Sequence, residues 1–327
     1  MHPAIEQCLR AGTAVPAAPT LADWQPGWQS LLASGASPIG LALLGGFGAD
    51  RPAWAFAAGY QAALRCLLPH TPPRALVGLC LTEATGKRPR ELQSTATPQA
   101  DGSWLLSGDK SWVAFGQACT TLLVIARDGS APAEGPAGVS PRLLALCLPH
   151  DSPGVQVADK PPGRLLPELP QGRLTLQQVR LPGAARLPGD GYADHAKPFA
   201  ALEDLYIGAA LLACLLREAR ARAWPADQQA RLVALLALLC ALAETPLRDP
   251  ASLVALAGAL DLARQAQAEA GARWAAAPDD PAGQRWQRDG PLLGASGPSR
   301  VQRAAKAWAQ LAGGTPQAAP DPPPRPP

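Results

Sequence analysis

Between Leu76 and Pro188 the chain changes texture, and this change limits the folds open to it. Leu76-Val77-Gly78-Leu79-Cys80-Leu81 is a short, unbroken apolar run. Asp101-Gly102 opens Ser103–Phe115, with a second turn signal at Ser107-Gly108-Asp109. Thr120–Ala126 and Leu143–Leu148 are rich in β-formers, and Arg173–Leu181 alternates polar with apolar residues. Short runs separated by turn residues predict a compact antiparallel β-domain. Helical spacing holds on both sides. Arg51–Leu68 places Trp54, Phe56, Tyr60, Ala63 and Leu67 at helical intervals, and Pro69 stops it. After Gly189-Asp190-Gly191 come Phe199–Ala223, Gln228–Glu244, Ala251–Trp274 and the shorter Arg300–Leu311. Gly45-Gly46-Phe47-Gly48 reads as a loop. The expected class is α+β: N-terminal helices over 1–74, a β-barrel-like middle domain over 75–190 and a C-terminal helical bundle over 191–312. A Pro-rich tail, 313–327, is expected to be disordered.

A chain of 327 residues suits two or three packed units, and 47% hydrophobic against 17% charged residues supplies a large core. The net charge of +3 is scattered, with no basic stripe for nucleic acid to follow. Cys8, Cys66, Cys80, Cys119, Cys147, Cys214 and Cys240 show no CxxC spacing, which points to buried thiols in a reducing compartment. His2, His70, His150 and His195 form no metal-ligand pattern. The N-terminus lacks the pattern of a signal peptide, and the apolar run Leu232–Leu242 falls short of a membrane span. A cytoplasmic protein with no membrane span is expected.

Four strings then resemble the acyl-CoA dehydrogenase family, in the right order. Leu81-Thr82-Glu83 is similar to its Thr-Glu-Pro segment. Ser107-Gly108-Asp109-Lys110-Ser111-Trp112-Val113-Ala114 resembles Asn-Gly-x-Lys-x-Trp-Ile-Thr. Leu176–Pro182 with Leu187–Gly191 resembles the exit from the β-domain. Arg288-Asp289 and Ser296–Arg303 resemble the family's Arg-Asp and Glu-Gly-Thr-Ser-Gln-Ile-Gln-Arg segments. The resemblance implies FAD between the β-domain and the C-terminal helices, with Leu81 and Thr82 at its polar edge. Trp112 is implied to pack on the ring, and Val113 and Ala114 to line it through the backbone. It also implies an acyl-CoA or acyl-carrier thioester as substrate and a homo-oligomer, or a hetero-oligomer with a homologue.

The departures fall on catalysis. Ser296 stands where most of the family has its base, and a serine without a basic neighbour is no base at neutral pH. Glu203, in Leu202–Gly208, matches the place where isovaleryl- and long-chain-type members carry theirs, and is the candidate base. Trp224-Pro225-Ala226-Asp227-Gln228 replaces the Arg-x-x-Phe-Gly segment that holds the FAD pyrophosphate. Lys87-Arg88-Pro89 replaces Gly-Ser-Asp, making Arg88 a candidate for a phosphate or carboxylate of the substrate. The expected function is oxidation of an acyl thioester Cα–Cβ bond. The alternatives are an inactive partner subunit of an intact homologue and a flavin-dependent monooxygenase on the same scaffold.

Overall fold

A computed structural model describes residues 1–130, 140–290 and 297–313. Ser296 and residues 314–327 of the Pro-rich tail lie outside the described residues. Helices α1 (Pro3–Arg10), α2 (Leu21–Ala33), α3 (Pro38–Phe47) and α4 (Pro52–Leu67) come first. Strands β1 (Val77–Cys80), β2 (Thr95–Pro98), β3 (Trp104–Ala114), β4 (Thr121–Asp128), β5 (Leu143–Pro149), β6 (Val155–Asp159) and β7 (Gln171–Leu181) follow. The chain returns to helix in α5 (Lys197–Ala221), α6 (Ala226–Ala243), α7 (Pro250–Ala275), α8 (Pro281–Asp289) and α9 (Gly297–Leu311). Prolines stand in the first turn of α3, α4, α7 and α8, where the missing N–H has no intrahelical partner to lose.

The sheet is mixed, which corrects the antiparallel expectation. β1 runs parallel to β4 through Val77–Cys80, and β2 runs parallel to β4 at Thr95 and Ala96. The two short strands therefore lie one after the other along the same strand, while β5 pairs antiparallel to β4 over Thr121–Arg127. The remaining pairings, β2 with β3, β3 with β7 and β7 with β6, are antiparallel. Parallel partners are distant in sequence and joined by no tight turn, so local turn signals cannot announce them.

Ser107-Gly108-Asp109 is no turn: β3 continues through it, with a register shift against β7 between Leu106 and Gly108. Gly108 has φ +139°, and a Cβ there would meet Ser94 at 2.3–2.6 Å. Gly45 and Gly46 lie inside α3, not in a loop. A Cβ on Gly46 would sit 2.1 Å from the Ala210 carbonyl oxygen of α5, so glycine is what lets the two helices touch. Gly59 on α4 does the same against Tyr206 and Ile207 of α5. Helix α5 is thus the buried axle of the helical part.

With its preceding π-helical turn (Gly191–Ala196), α5 is long and apolar enough to cross a membrane, as is α6, contrary to the length estimate from the Leu232–Leu242 run alone. In α5, however, 78% of the apolar window is buried within the protein. Aromatic contacts join the first helices to the sheet: Trp24 stacks on Trp28, Trp54 and Phe115, and Tyr60 meets Phe115 and Phe199.

Candidate functional site

A lysine lies inside the sheet. Lys110 is 1% exposed, and its ammonium donates to Glu83 Oε1 and to the Ile125 carbonyl, both at 2.6 Å. The Glu83 carboxylate also accepts from the Gln93 amide at 2.5 Å and from the Ser94 amide and hydroxyl at 3.1 and 2.8 Å. Burial pushes the Glu83 carboxyl up, but Lys110 and these donors outweigh it and hold it below the usual carboxylate value. Burial draws Lys110 down against the pull of Glu83. We take the pair as ionised at neutral pH, because the Glu83 carboxylate has its hydrogen-bonding capacity filled by donors.

This pair fixes the strands that carry the residues of interest. Thr82 precedes Glu83, and its carbonyl accepts from the Ser111 amide at 2.7 Å. On β3, Lys110 faces Leu174 of β7 while Val113 faces Gly172, so β3 carries one extra residue at Ser111-Trp112. Such a bulge re-aims a side chain. Trp112 turns outward and is 43% exposed, whereas Val113 and Ala114 point into the core on either strand face. Lys160, just beyond β6, donates to the Ser111 carbonyl and holds its ammonium 5.0 Å from the centre of the Trp112 ring. Phe115 then takes a left-handed backbone (φ +69°) as the strand ends.

The Thr82 backbone thus adjoins the Ser111-Trp112 bulge. Trp112 keeps part of its indole exposed, and the half-buried Thr82 has a hydroxyl that bonds no other described residue, features that can serve a planar group with a polar edge. Leu81 packs in a small apolar cluster with Leu92, Tyr192 and Ala196, which ties the strand exit to the turn leading into α5.

Glu203 lies two turns beyond Ala196. It is half-buried, and no described residue makes an ion pair or hydrogen bond to its carboxylate. Loss of hydration pushes it up to about 7, with the neighbouring Asp204 carboxylate adding to the rise and Lys87 and Arg303 opposing it. Arg303 of α9 is ion-paired to Asp204. Arg88 sits on the exposed β1–β2 loop. Trp224 and Gln228 are buried, Trp224 edge-on to Trp274, so that segment packs within the helices.

Sequence reasoning passed over Lys160 and the Glu83–Lys110 pair. The pair had a legible signal, since Leu106, Gly108 and Lys110 share one strand face and an inward lysine demands an acid. Lys160 had none, because its position depends on β6–β7 pairing.

The family model for the acyl-CoA dehydrogenase middle domain matches residues 78–179, the span of the sheet. Many solved structures share the fold, three of them as follows. Butyryl-CoA dehydrogenase from Megasphaera elsdenii superposes with a TM-score of 0.65 at 15% identity, over 88% of this chain and 90% of that one. Glutaryl-CoA dehydrogenase from Mycobacterium smegmatis, in complex with FADH2, gives 0.66 at 13% identity over 94% and 89%. Indole-bound TdsC from Paenibacillus sp. A11-2 gives 0.68 at 18% identity over 94% and 93%. No curated protein matches the sequence. Residues 78–179 thus match the acyl-CoA dehydrogenase middle domain, and the chain as a whole has the acyl-CoA dehydrogenase-like fold.

Proposed function

We propose that the protein binds a flavin against Thr82 and Trp112 and oxidises the Cα–Cβ bond of an acyl thioester, with Glu203 as the base. When bound, the flavin supplies the acceptor for the β-hydride. Glu203 removes the α-proton. A carboxylate raised to about 7 is a stronger base than an exposed one, yet is substantially ionised near neutral pH. Thr82 offers its hydroxyl and amide to the polar rim of the ring, and Trp112 covers one face. The Glu83–Lys110 pair and the Ser111–Thr82 bond keep those two residues in register. Arg88 is positioned on an exposed loop that a thioester's polar carrier can reach. FAD is the form implied by the resemblance, and the glutaryl-CoA dehydrogenase relative is described with FADH2.

The observation that carries this reading is the unpaired, raised carboxyl of Glu203. It is tested with butyryl-CoA and an artificial electron acceptor. Glu203→Gln is expected to lower turnover about 10²–10⁴-fold with flavin content unchanged. Equal turnover in the variant would remove Glu203 from the chemistry. A flavin-dependent oxygenase is a second reading, favoured by the likeness to TdsC, which is described in complex with FMN and indole. In that case Glu203→Gln leaves the reaction of reduced flavin with oxygen unaffected, and stopped-flow absorbance distinguishes the two.

A further inference from the structure

Lys110 has an acid, Glu83, to answer its charge, whereas Lys160 has none among the described residues. Lys160 is half-buried just beyond β6, with its amide donating to the Gln171 carbonyl of β7 at 2.8 Å. Its ammonium donates to the Ser111 carbonyl and lies over the Trp112 ring, 5.0 Å from the centre. Ser111 falls in the register gap between Lys110 and Val113, where a bulge leaves backbone groups without a ladder partner. The adjacent acid is turned away. Asp159 accepts the Gln117 amide at 2.8 Å, and Gly116 leaves room for it, since a Cβ there would meet its Oδ1 at 2.0 Å. Partial loss of hydration draws the Lys160 ammonium down, and the like charge of Arg173 on β7 adds to this.

We propose that Lys160 is a positioning residue for the flavin: it fixes the Trp112 indole at the bulge and supplies a positive charge that favours the reduced ring over the oxidised one. This rests on the flavin reading above. Reduction by two electrons and one proton leaves a flavin with one negative charge, whereas the oxidised ring is neutral. A fixed cation beside the platform therefore stabilises the reduced form more, and raises the potential at which the ring accepts electrons. A half-buried ammonium is screened less than a fully exposed one. The missing acid is what leaves this charge available. A carboxylate partner would cancel most of its field, as Glu83 does for Lys110, and the neutral indole does not. Closing the bulge alone would need only a hydrogen-bond donor, not a cation held beside Arg173.

The test is the two-electron midpoint potential of protein-bound FAD, read by equilibration with a reference dye, in the wild type, Lys160→Gln and Lys160→Arg. Glutamine keeps a donor for the Ser111 carbonyl and loses the charge, whereas arginine keeps both. Lys160→Gln is expected to lower the potential by about 30 mV, a tenfold shift in the reduced-to-oxidised ratio for two electrons. By linkage it should weaken binding of reduced FAD about tenfold relative to oxidised FAD. Lys160→Arg is expected to stay near the wild type. An unchanged potential in Lys160→Gln, or an equal fall in both variants, would overturn the role of Lys160 and leave the flavin reading standing. Loss of FAD from Lys160→Gln but not from Lys160→Arg would support the role of the charge, and loss from both would overturn it. A wild type that retains no FAD would overturn both readings.

Discussion

At Glu203 the surroundings favour the protonated acid, and this has consequences beyond catalysis. Its folded value of about 7 lies above the ordinary 4.5, so this group's contribution to stability is fully present below pH 4.5 and is lost as pH rises through about 7. Glu203→Gln removes that loss. Chemical denaturation should find the variant more stable than wild type at pH 8, by at most about 3 kcal/mol before solvent screening, and little different at pH 5. A gain of equal size at both values would mean that ionisation is not its source. Lys87 works the other way, holding the carboxyl down, so Lys87→Gln should move the pH–rate profile of thioester oxidation to higher pH. The Glu83–Lys110 pair makes a further prediction. Lys110→Met strands a buried carboxylate and should cost about 3–5 kcal/mol in unfolding free energy, whereas Glu83→Gln/Lys110→Met should recover much of it. Flavin affinity should fall in the single variant, because Thr82 and Trp112 adjoin the two partners.

Among the elements, α5 shows how glycines set geometry. Gly46→Ala drives a methyl into a backbone carbonyl of α5, and a loss of about 3 kcal/mol or more is expected in a denaturation curve. Gly258→Ala, on the exposed face of α7, meets nothing within 4 Å and should stabilise by about 0.5–1 kcal/mol. The same positions show what the sequence could and could not reveal. The long helices were legible from period and proline stops, and α4, α6 and α7 fall within a residue or two of the expected bounds. Gly45-Gly46 looked like a loop because a glycine's need for closeness to another helix leaves no local trace. Ser107-Gly108-Asp109 has turn chemistry, yet cross-strand pairing overrode it. The bulge at Ser111-Trp112, which exposes the indole, depends on the register of β7 some 60 residues on and was invisible in the string. The order of Thr82, Lys110 and Trp112 was nonetheless readable, because the resemblance rests on those residues themselves.

In the whole molecule, one continuous apolar core runs from the first helices through the sheet to α5, α6 and α7. The aromatic contacts from Trp24 to Phe199 bridge it where β3 ends, three residues beyond Trp112. The proposed site lies where sheet and helices meet, with strands for rigidity and α5 for its proposed acid. The central claim is that the indole face of Trp112 is a flavin platform. The most direct test is the visible absorbance spectrum of the wild-type protein and of Trp112→Ala after incubation with FAD and desalting. The account predicts a flavin band, shifted from that of free FAD, in the wild type, and loss or displacement of that band in the variant. A wild-type protein that emerges colourless, or a variant whose retained spectrum is unchanged, would contradict it.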